Sequence, residues 1–310
     1  MPKLYIDEFV GISNRLEALP YAFAIRKAYG HDIVLDWHEL DSFSVADTKR
    51  GKVRLLARLG AIRVRDNDAE RLFDTLGDKK IILRALEGPD DKLTPIYLET
   101  ARKLRVAPHL ADAIRTTFGR VAGRPVVGVH IRQGDYELVS DERYDITGKE
   151  WPAVPVWWYF EQMKRIRARQ PDVCFFLSCT GDPAAFREIH ETFDVFTLDV
   201  RSHYDYKGDD HRSTVNPVAD LFGLACCPLI LATPISGYSH WAANALGAPS
   251  GCIVPLPGAT RDDPRAGLVR LHGQRLTRWR AAGRTGSDTT PLDATLADID
   301  LSQPADTSWL

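Results

Sequence analysis

Neither sign of charge dominates this sequence of 310 residues, in which 40 lysines and arginines face 42 aspartates and glutamates. That balance argues against a general nucleic-acid binder, whose grip on phosphate needs a clear basic excess. Long apolar runs are missing too. The longest, Leu221 to Ala232, is far shorter than the ~20 residues needed to cross a bilayer, so no helical membrane span is expected. The opening MPKLYIDEFV carries acids where a secretory signal has its apolar core, and a cytoplasmic location is expected. Cysteine is scarce. Cys174, Cys179, Cys226, Cys227 and Cys252 are odd in number and sit in apolar surroundings, reading as buried hydrophobes of a reducing compartment rather than a disulfide framework. No Cys-x-x-Cys or His-x-x-x-His pattern accompanies them, so no metal is expected, and no repeat of fixed period is present.

What is present is an α/β rhythm, long enough for two domains. Leu4 to Ile6 is a short apolar run, Gly11-Ile12-Ser13-Asn14 supplies a turn, and apolar residues from Leu16 to Ala28 recur at helical spacing. Gly30 ends that helix and His31 to Trp37 reads as a buried strand, a βαβ opening that implies a parallel sheet. Residues 40 to 120 are less regular: Lys52 to Leu59 is basic and amphipathic, 81 to 86 reads as a strand, and Pro95 to Leu110 as a helix. The break at Ala122-Gly123-Arg124-Pro125 precedes a second buried strand from Val126 to Ile131 and places a domain boundary near residue 120. Helices are then expected at Trp157–Arg169, Pro183–His190, Val218–Ala225 and Ser239–Leu246. Strands are expected at Val173–Leu177, Val195–Leu198, Leu229–Ala232 and Cys252–Val254, the last of the chain. Trp157, Trp158 and Tyr159 read as core, with a platform for sugar faces the alternative. The arginine-rich stretch 261–284 and the acidic segment 286–310 read as a solvated, mobile end.

Four clusters of polar residues fall at expected strand ends, where ligands of open α/β sheets bind. The first is His130-Ile131-Arg132-Gln133-Gly134-Asp135-Tyr136. Strand alternation sends His130 and Arg132 to one side, Gly134 allows close backbone approach, and an arginine fork suits a diphosphate. An ordinary salt bridge to Asp135 is the alternative. The second runs from Asp220 through Ile235-Ser236-Gly237-Tyr238-Ser239, where Ser239 caps a helix or its serines and amides hold an anion. The third is Ser178-Cys179-Thr180-Gly181-Asp182-Pro183, with Asp182 a cap and Thr180 open to a nucleotide contact. The fourth is the turn carrying Asn14, whose amide either satisfies backbone or meets a sugar.

Together these residues resemble the fucosyltransferases. HIRQGDY matches their His-x-Arg-x-Gly-Asp signature, seen in the bacterial α1,2 enzymes and more loosely in the α1,6 and protein O-fucosyltransferases. GISNRLEALPYAFAIRKAYGHDIVLDW is similar to their N-terminal turn, helix and strand, and VNPVADLFGLACCPLILATPISGYSHWAANALG to their late segment. The three matches occur in the family's order. Ile12-Ser13 replaces a usual second glycine, and Arg15 stands where glutamine often follows the asparagine.

The resemblance implies a GT-B fold, two Rossmann-like α/β domains with a cleft between them: an acceptor-side domain over 1–120, a donor domain over 121–285, then the 286–310 tail. It implies inverting, metal-independent transfer of fucose from GDP-fucose to a hydroxyl of a glycan, with no cofactor beyond the sugar nucleotide as cosubstrate. A bacterial surface polysaccharide or a lipid-linked oligosaccharide is the acceptor class this suggests. Arg132 and Asn14 are the implied catalytic residues. His130, Gly134, Asp135, Thr180, Asp220, Ser236, Tyr238 and Ser239 are the implied donor-binding residues, with Asp220 on guanine. Glu8, Glu17 and Asp135 are candidates for a general base, and the polar stretch 201–212 for a closing loop. Independently of the resemblance, a weak peripheral membrane contact is the alternative to a solvated face for the 261–284 stretch. Another sugar nucleotide, a phosphoester hydrolase built on His130, and a non-catalytic nucleotide- or glycan-binding protein remain the competing readings.

Overall fold

The computed structural model describes residues 1–7, 10–84, 90–134, 136–147, 151–200, 216–270, 272–273, 292–293 and 299–310. The chain divides between Ala107 and Pro108 into two units, with Gly273 returning to the first.

The first unit runs β1 (Lys3–Ile6), α1 (Ile12–Tyr29), β2 (Asp32–Leu35), β3 (Phe43–Val45), β4 (Thr48–Arg50), α2 (Leu55–Arg58), β5 (Ile62–Val64), α3 (Asp66–Leu72), β6 (Ile81–Leu83), α4 (Asp90–Leu93), α5 (Tyr97–Ala101) and β7 (Leu104–Val106). Its main sheet has the order β4-β2-β1-β6-β5, parallel throughout, while β3 and β7 form a separate antiparallel pair. Alternation gives the sheet two faces: Leu4, Ile6, Ile33, Leu35, Ile81 and Leu83 on one, and Tyr5, Val34 and Ile82 on the other. Helix α1 follows β1 as expected and is buried from Arg15 to Ile25, so its apolar residues surround it rather than form one stripe. Gly30 ends it at φ 75°, donating its N–H to the Arg26 carbonyl at 2.8 Å. The helix expected over 95–110 is instead α5, β7 and the start of the next helix, because Pro108 disfavours helical backbone at the residue before it.

The second unit runs α6 (Pro108–Gly119), β8 (Val126–Ile131), α7 (Val156–Arg169), β9 (Cys174–Cys179), α8 (Arg187–Thr192), β10 (Val195–Phe196), α9 (Pro217–Ala225), β11 (Leu229–Leu231), α10 (Gly237–Asn244), β12 (Gly251–Pro255), β13 (Ala266–Val269) and β14 (Leu292–Asp293). The domain boundary thus lies before α6 rather than near residue 120. The Phe118 ring of α6 packs at 5.1 Å from both Phe176 and Phe196, and so belongs to this unit. The sheet order is β10-β9-β8-β11-β12-β13-β14, parallel as far as β12 and antiparallel beyond, so the strand near 252–254 is not the last. Counted in chain order, the parallel strands read 3-2-1-4-5, the doubly wound order, and the winding reverses between β8 and β11.

Two glycines bring α9 close to that sheet. A Cβ on Gly128 would lie 2.9 Å from Leu224 Cδ2, and one on Gly223 would lie 2.8 Å from Phe176 Cζ. Trp157, Trp158 and Tyr159 are in the core, as expected. All five cysteines are buried and unbridged, and burial pushes the Cys179 thiol up to about 12. Among the described residues, no helix is long and apolar enough to cross a membrane.

The terminal segment corrects the expectation of a mobile tail. Residues 286–291 and 294–298 lie outside the described residues, but Ile299 and Leu301 are buried in the core of the second unit. Val126 donates its N–H to the Gln303 carbonyl at 3.1 Å, Asp306 to the Cys226 carbonyl at 2.9 Å, and the Trp309 ring stacks on Phe222 at 5.8 Å. Within 299–310, Asp300 and Asp306 are exposed while Ile299 and Leu301 are buried, so this stretch has a core face as well as an acidic one. Leu301→Ala is expected to cost about 2–3 kcal/mol in urea-induced unfolding, as for other buried leucines; an unchanged midpoint would return the segment to the solvent.

Candidate functional site

At the point where the winding of the second sheet reverses, between the paired strands β8 and β11, the connections leave towards opposite faces, the arrangement that gives open α/β sheets their ligand crevice. His130 and Arg132 stand at the end of β8, and Thr233 just beyond β11. Thr233 ties the two ends together. Its hydroxyl donates to the His130 carbonyl at 2.9 Å and accepts from the Arg132 backbone N–H at 3.0 Å. Because that proton is already committed, the Tyr159 hydroxyl, 2.8 Å away, is the donor in their contact. Tyr159 is therefore core and a brace of the site at once.

His130 is 3% exposed. Its Nδ1 lies 2.6 Å from Ser239 Oγ, and its ring stacks on Tyr238 at 4.9 Å. Burial, with the neighbouring Arg132 charge second, takes its pKa down to about 3, so the imidazole is neutral at physiological pH. Arg132 is half-buried, its guanidinium carbon 5.7 Å from the Tyr136 ring centroid. Gly134 follows at φ 86°, a left-handed backbone that lets the chain turn sharply there. Asp135 lies outside the described residues.

Two helix N-termini point at the same strand ends. Helix α9 is capped by Asn216, whose Oδ1 accepts from Val218 N at 2.9 Å and Ala219 N at 3.2 Å. Asp220, in its first turn, is 4% exposed and bonded to Ser178 at the end of β9; Oδ1 has no partner among the described residues. Burial pushes its pKa up to about 7 against the opposing Ser178 bond. Helix α10 begins at Gly237, two residues before the expected start, so Ser236 occupies the cap position and Ser239 lies inside the helix, fully buried. Neither serine caps through its side chain: none bonds an α10 amide from the cap position, and Ser239 turns to His130. Ile235, just before the cap, has φ 69°, a left-handed backbone that a β-branched residue adopts only under strain. The Tyr238 hydroxyl donates to the Pro217 carbonyl at 2.6 Å, locking the two helix starts together. Thr180, half-buried at the end of β9, donates its backbone N–H to the Ile131 carbonyl at 3.0 Å. Asp182 caps the turn after it, accepting from Ala184 N at 3.0 Å, as expected.

The first unit carries Asn14, half-buried in the first turn of α1. The next residue, Arg15, is 2% exposed and ion-paired with Glu39, itself 1% exposed. Its guanidinium lies 5.8 Å from the Trp37 centroid. Where the resembled enzymes often have glutamine, this chain places a charge and, 24 residues on, its counter-charge. Losing one partner would strand the other, at a cost of several kcal/mol. Asp7, at the end of β1, is held by Arg58 at 2.5 Å and Arg84 at 3.6 Å. Of the general-base candidates, Glu17 is 3% exposed beside the Tyr97 hydroxyl at 3.5 Å, while Glu8 and Asp135 lie outside the described residues, as does the 201–212 stretch.

No protein-family profile and no curated protein matches the chain. Solved structures do. The α-1,6-fucosyltransferase NodZ crystallised with GDP covers 87% of this chain and 99% of its own at 14% identity, with a TM-score of 0.55; a structure of NodZ from Bradyrhizobium gives the same values. POFUT1 in complex with GDP-fucose covers 81% of this chain and 98% of its own at 11% identity, with a TM-score of 0.52. The fold is that of the GT-B fucosyltransferases.

Within the fucosyltransferase fold, the second unit gathers His130, Arg132, Gly134, Thr180, Asp220, Ser236, Tyr238 and Ser239 at the ends of β8, β9 and β11 and the starts of α9 and α10. Asn14 belongs to the first unit. Sequence reasoning missed Thr233, Glu39 and the phenol of Tyr159, and gave Ser178 a place in the third cluster without a role. Thr233 and Ser178 had a usable signal, each being a small polar residue at the end of an apolar strand; Tyr159 and Glu39 had none.

Proposed function

We propose that this chain is an inverting glycosyltransferase that moves fucose from GDP-fucose to a hydroxyl of a glycan. One observation carries the reading: two helix N-termini, a neutral histidine and an arginine converge on the crevice where the second sheet reverses its winding. Helix starts and arginine forks favour anions, and solved proteins of this fold hold GDP and GDP-fucose.

In this reading the diphosphate lies across the strand ends. Arg132 binds its oxygens and strengthens its hold as the glycosidic bond to phosphate breaks and charge grows on the departing GDP. When Ser239 donates to Nδ1 of His130, the ring carries its proton on Nε2, the form that donates to a phosphate oxygen while leaving the imidazole uncharged. Asp220 accepts from the N–H groups of guanine through the oxygen that has no partner in the described protein. Ser236 and the first α10 amides meet phosphate or ribose, and Asn14 stands on the acceptor side. The acceptor hydroxyl attacks the anomeric carbon from the face opposite GDP, its proton leaves to solvent or a carboxylate, and the configuration inverts. No residue pair here performs phosphoester hydrolysis as well: His130 is buried, neutral and tied to Ser239, which suits a positioned donor and not a nucleophile.

Thermal unfolding with GDP, UDP, CDP, ADP and dTDP tests the donor class. GDP at 100 times its dissociation constant is expected to stabilise the fold by about 2.7 kcal/mol, with little response to the others. A response to UDP or dTDP instead would keep the transferase and remove fucose; silence towards all five would remove the donor site.

A further inference from the structure

Apart from the terminal Met1, the large exposed apolar side chains among the described residues of the first unit crowd onto one short stretch. Leu55, Leu56 and Leu59 are 74%, 78% and 58% exposed. Leu55 and Leu56 lie on α2 and Leu59 just after it, in the crossover from edge strand β4 to edge strand β5. The crossover is seated through small groups: Ala57 and Ala61 pack with Val53 on Tyr5, Val34 and Ile82. Turning the alanines inward sends the leucines outward, the reverse of a helix that folds onto a core. Scattered surface leucines are ordinary, but three on one turn form a patch that calls for a partner.

The charge around them names the partner. Residues 48–65 contain seven lysines and arginines and no acid. Register places Lys49 opposite Val34 and Arg63 opposite Ile82, on the same face as the crossover, so basic residues stand at both edges of the face whose middle carries the leucines. Asp32 pairs with Lys49 at 2.8 Å, Asp36 with Lys52 at 2.9 Å, Asp7 with Arg58 at 2.5 Å, and Asp41 with Arg50. Arg54 and Arg63 have no acidic partner among the described residues, and the face remains positive. A second copy of the chain would bring the same positive surface against itself across a two-fold axis. An anionic lipid surface complements both features, taking the leucines at the acyl boundary and the arginines among the headgroups.

We infer that the α2 face docks on anionic membrane surfaces. The inference is independent of the donor site. It relocates the membrane contact from the 261–284 stretch, part of which lies outside the described residues, to the first unit.

The test is co-sedimentation of the full chain with vesicles of phosphatidylcholine, alone or mixed with phosphatidylglycerol. Binding is expected only to the mixed vesicles, weakening as salt is added. Replacing all three leucines (L55S, L56S, L59S) is expected to lower partitioning on the order of tenfold or more. Arg54→Gln and Arg63→Gln are expected to lower it about fivefold each. All these side chains are at the surface, so unfolding midpoints should match the wild type and report an intact fold. Equal partitioning of wild type and the triple-serine variant, or none by either, overturns the inference. So does a concentration-dependent dimer that the serines abolish, which would assign the face to a second copy.

Discussion

Arg132→Ala is expected to lower release of GDP from GDP-fucose in the presence of acceptor by about 10²–10³-fold, the usual cost of removing one preorganised donor to a developing charge. The fold should persist, because the backbone of Arg132, not its side chain, makes the 3.0 Å bond to Thr233 that closes β8 onto β11. His130, Ser239 and Tyr238 hold each other without the guanidinium. The loss should therefore fall mainly on kcat, since the interaction grows only as the leaving group departs. Arg132→Lys keeps the charge but not the two-pronged geometry and should recover a part of the rate. A fully active Arg132→Ala enzyme would falsify the placement of the diphosphate.

Asp220→Asn is expected to make the protein more stable and worse at its work. In the folded chain the buried carboxyl titrates at about 7, against 3.8 for the ordinary group. Between those values the folded state keeps a proton that the unfolded state has lost, so stability falls as pH rises from about 4 to 7 and stays low above. The full penalty is on the order of 4 kcal/mol or less. Asparagine retains the shape and the bond to Ser178 but never ionises. The variant should therefore unfold at higher urea than the wild type at pH 8, with the gain shrinking towards pH 5.

The same substitution should remove the response to GDP, because with its oxygen on Ser178 the asparagine presents an N–H2 donor to the N–H groups of guanine where the free carboxylate oxygen accepted. For the wild type, GDP binds the ionised form, so its affinity should rise about tenfold per pH unit below 7 and level off above it. A wild-type affinity flat from pH 5 to 8, or a variant less stable at pH 8, would contradict this account of Asp220.

The sequence by itself determined most elements of the second unit. Apolar runs bounded by small polar residues read as strands at 126–131, 173–177 and 229–232, within two residues of β8, β9 and β11, because a strand buried on both faces admits no polar interruption. The His130 to Gly134 cluster was legible for the same reason: it begins where the apolar run stops. Tertiary structure decided what the residues do. Ser239 read as a cap, but one turn of α10 separates it from the cap position, and only the packing of α10 against β8 delivers its hydroxyl to His130, 109 residues away. Asp220 read as the head of a polar cluster with a guanine contact implied by resemblance, but its burial was not legible, and the glycines at 128 and 223 draw α9 close enough to bury it. The tail read as solvated from its charge, while two apolar residues, Ile299 and Leu301, suffice to hold it in a core made elsewhere. Leu55, Leu56 and Leu59 are the converse, apolar residues left outside because the alanines between and after them fit the sheet. Periodicity and propensity act over a few residues and can be read along the chain. Burial, pKa and hydrogen-bond partnership depend on which distant segments close over a group, and no local pattern carries that information.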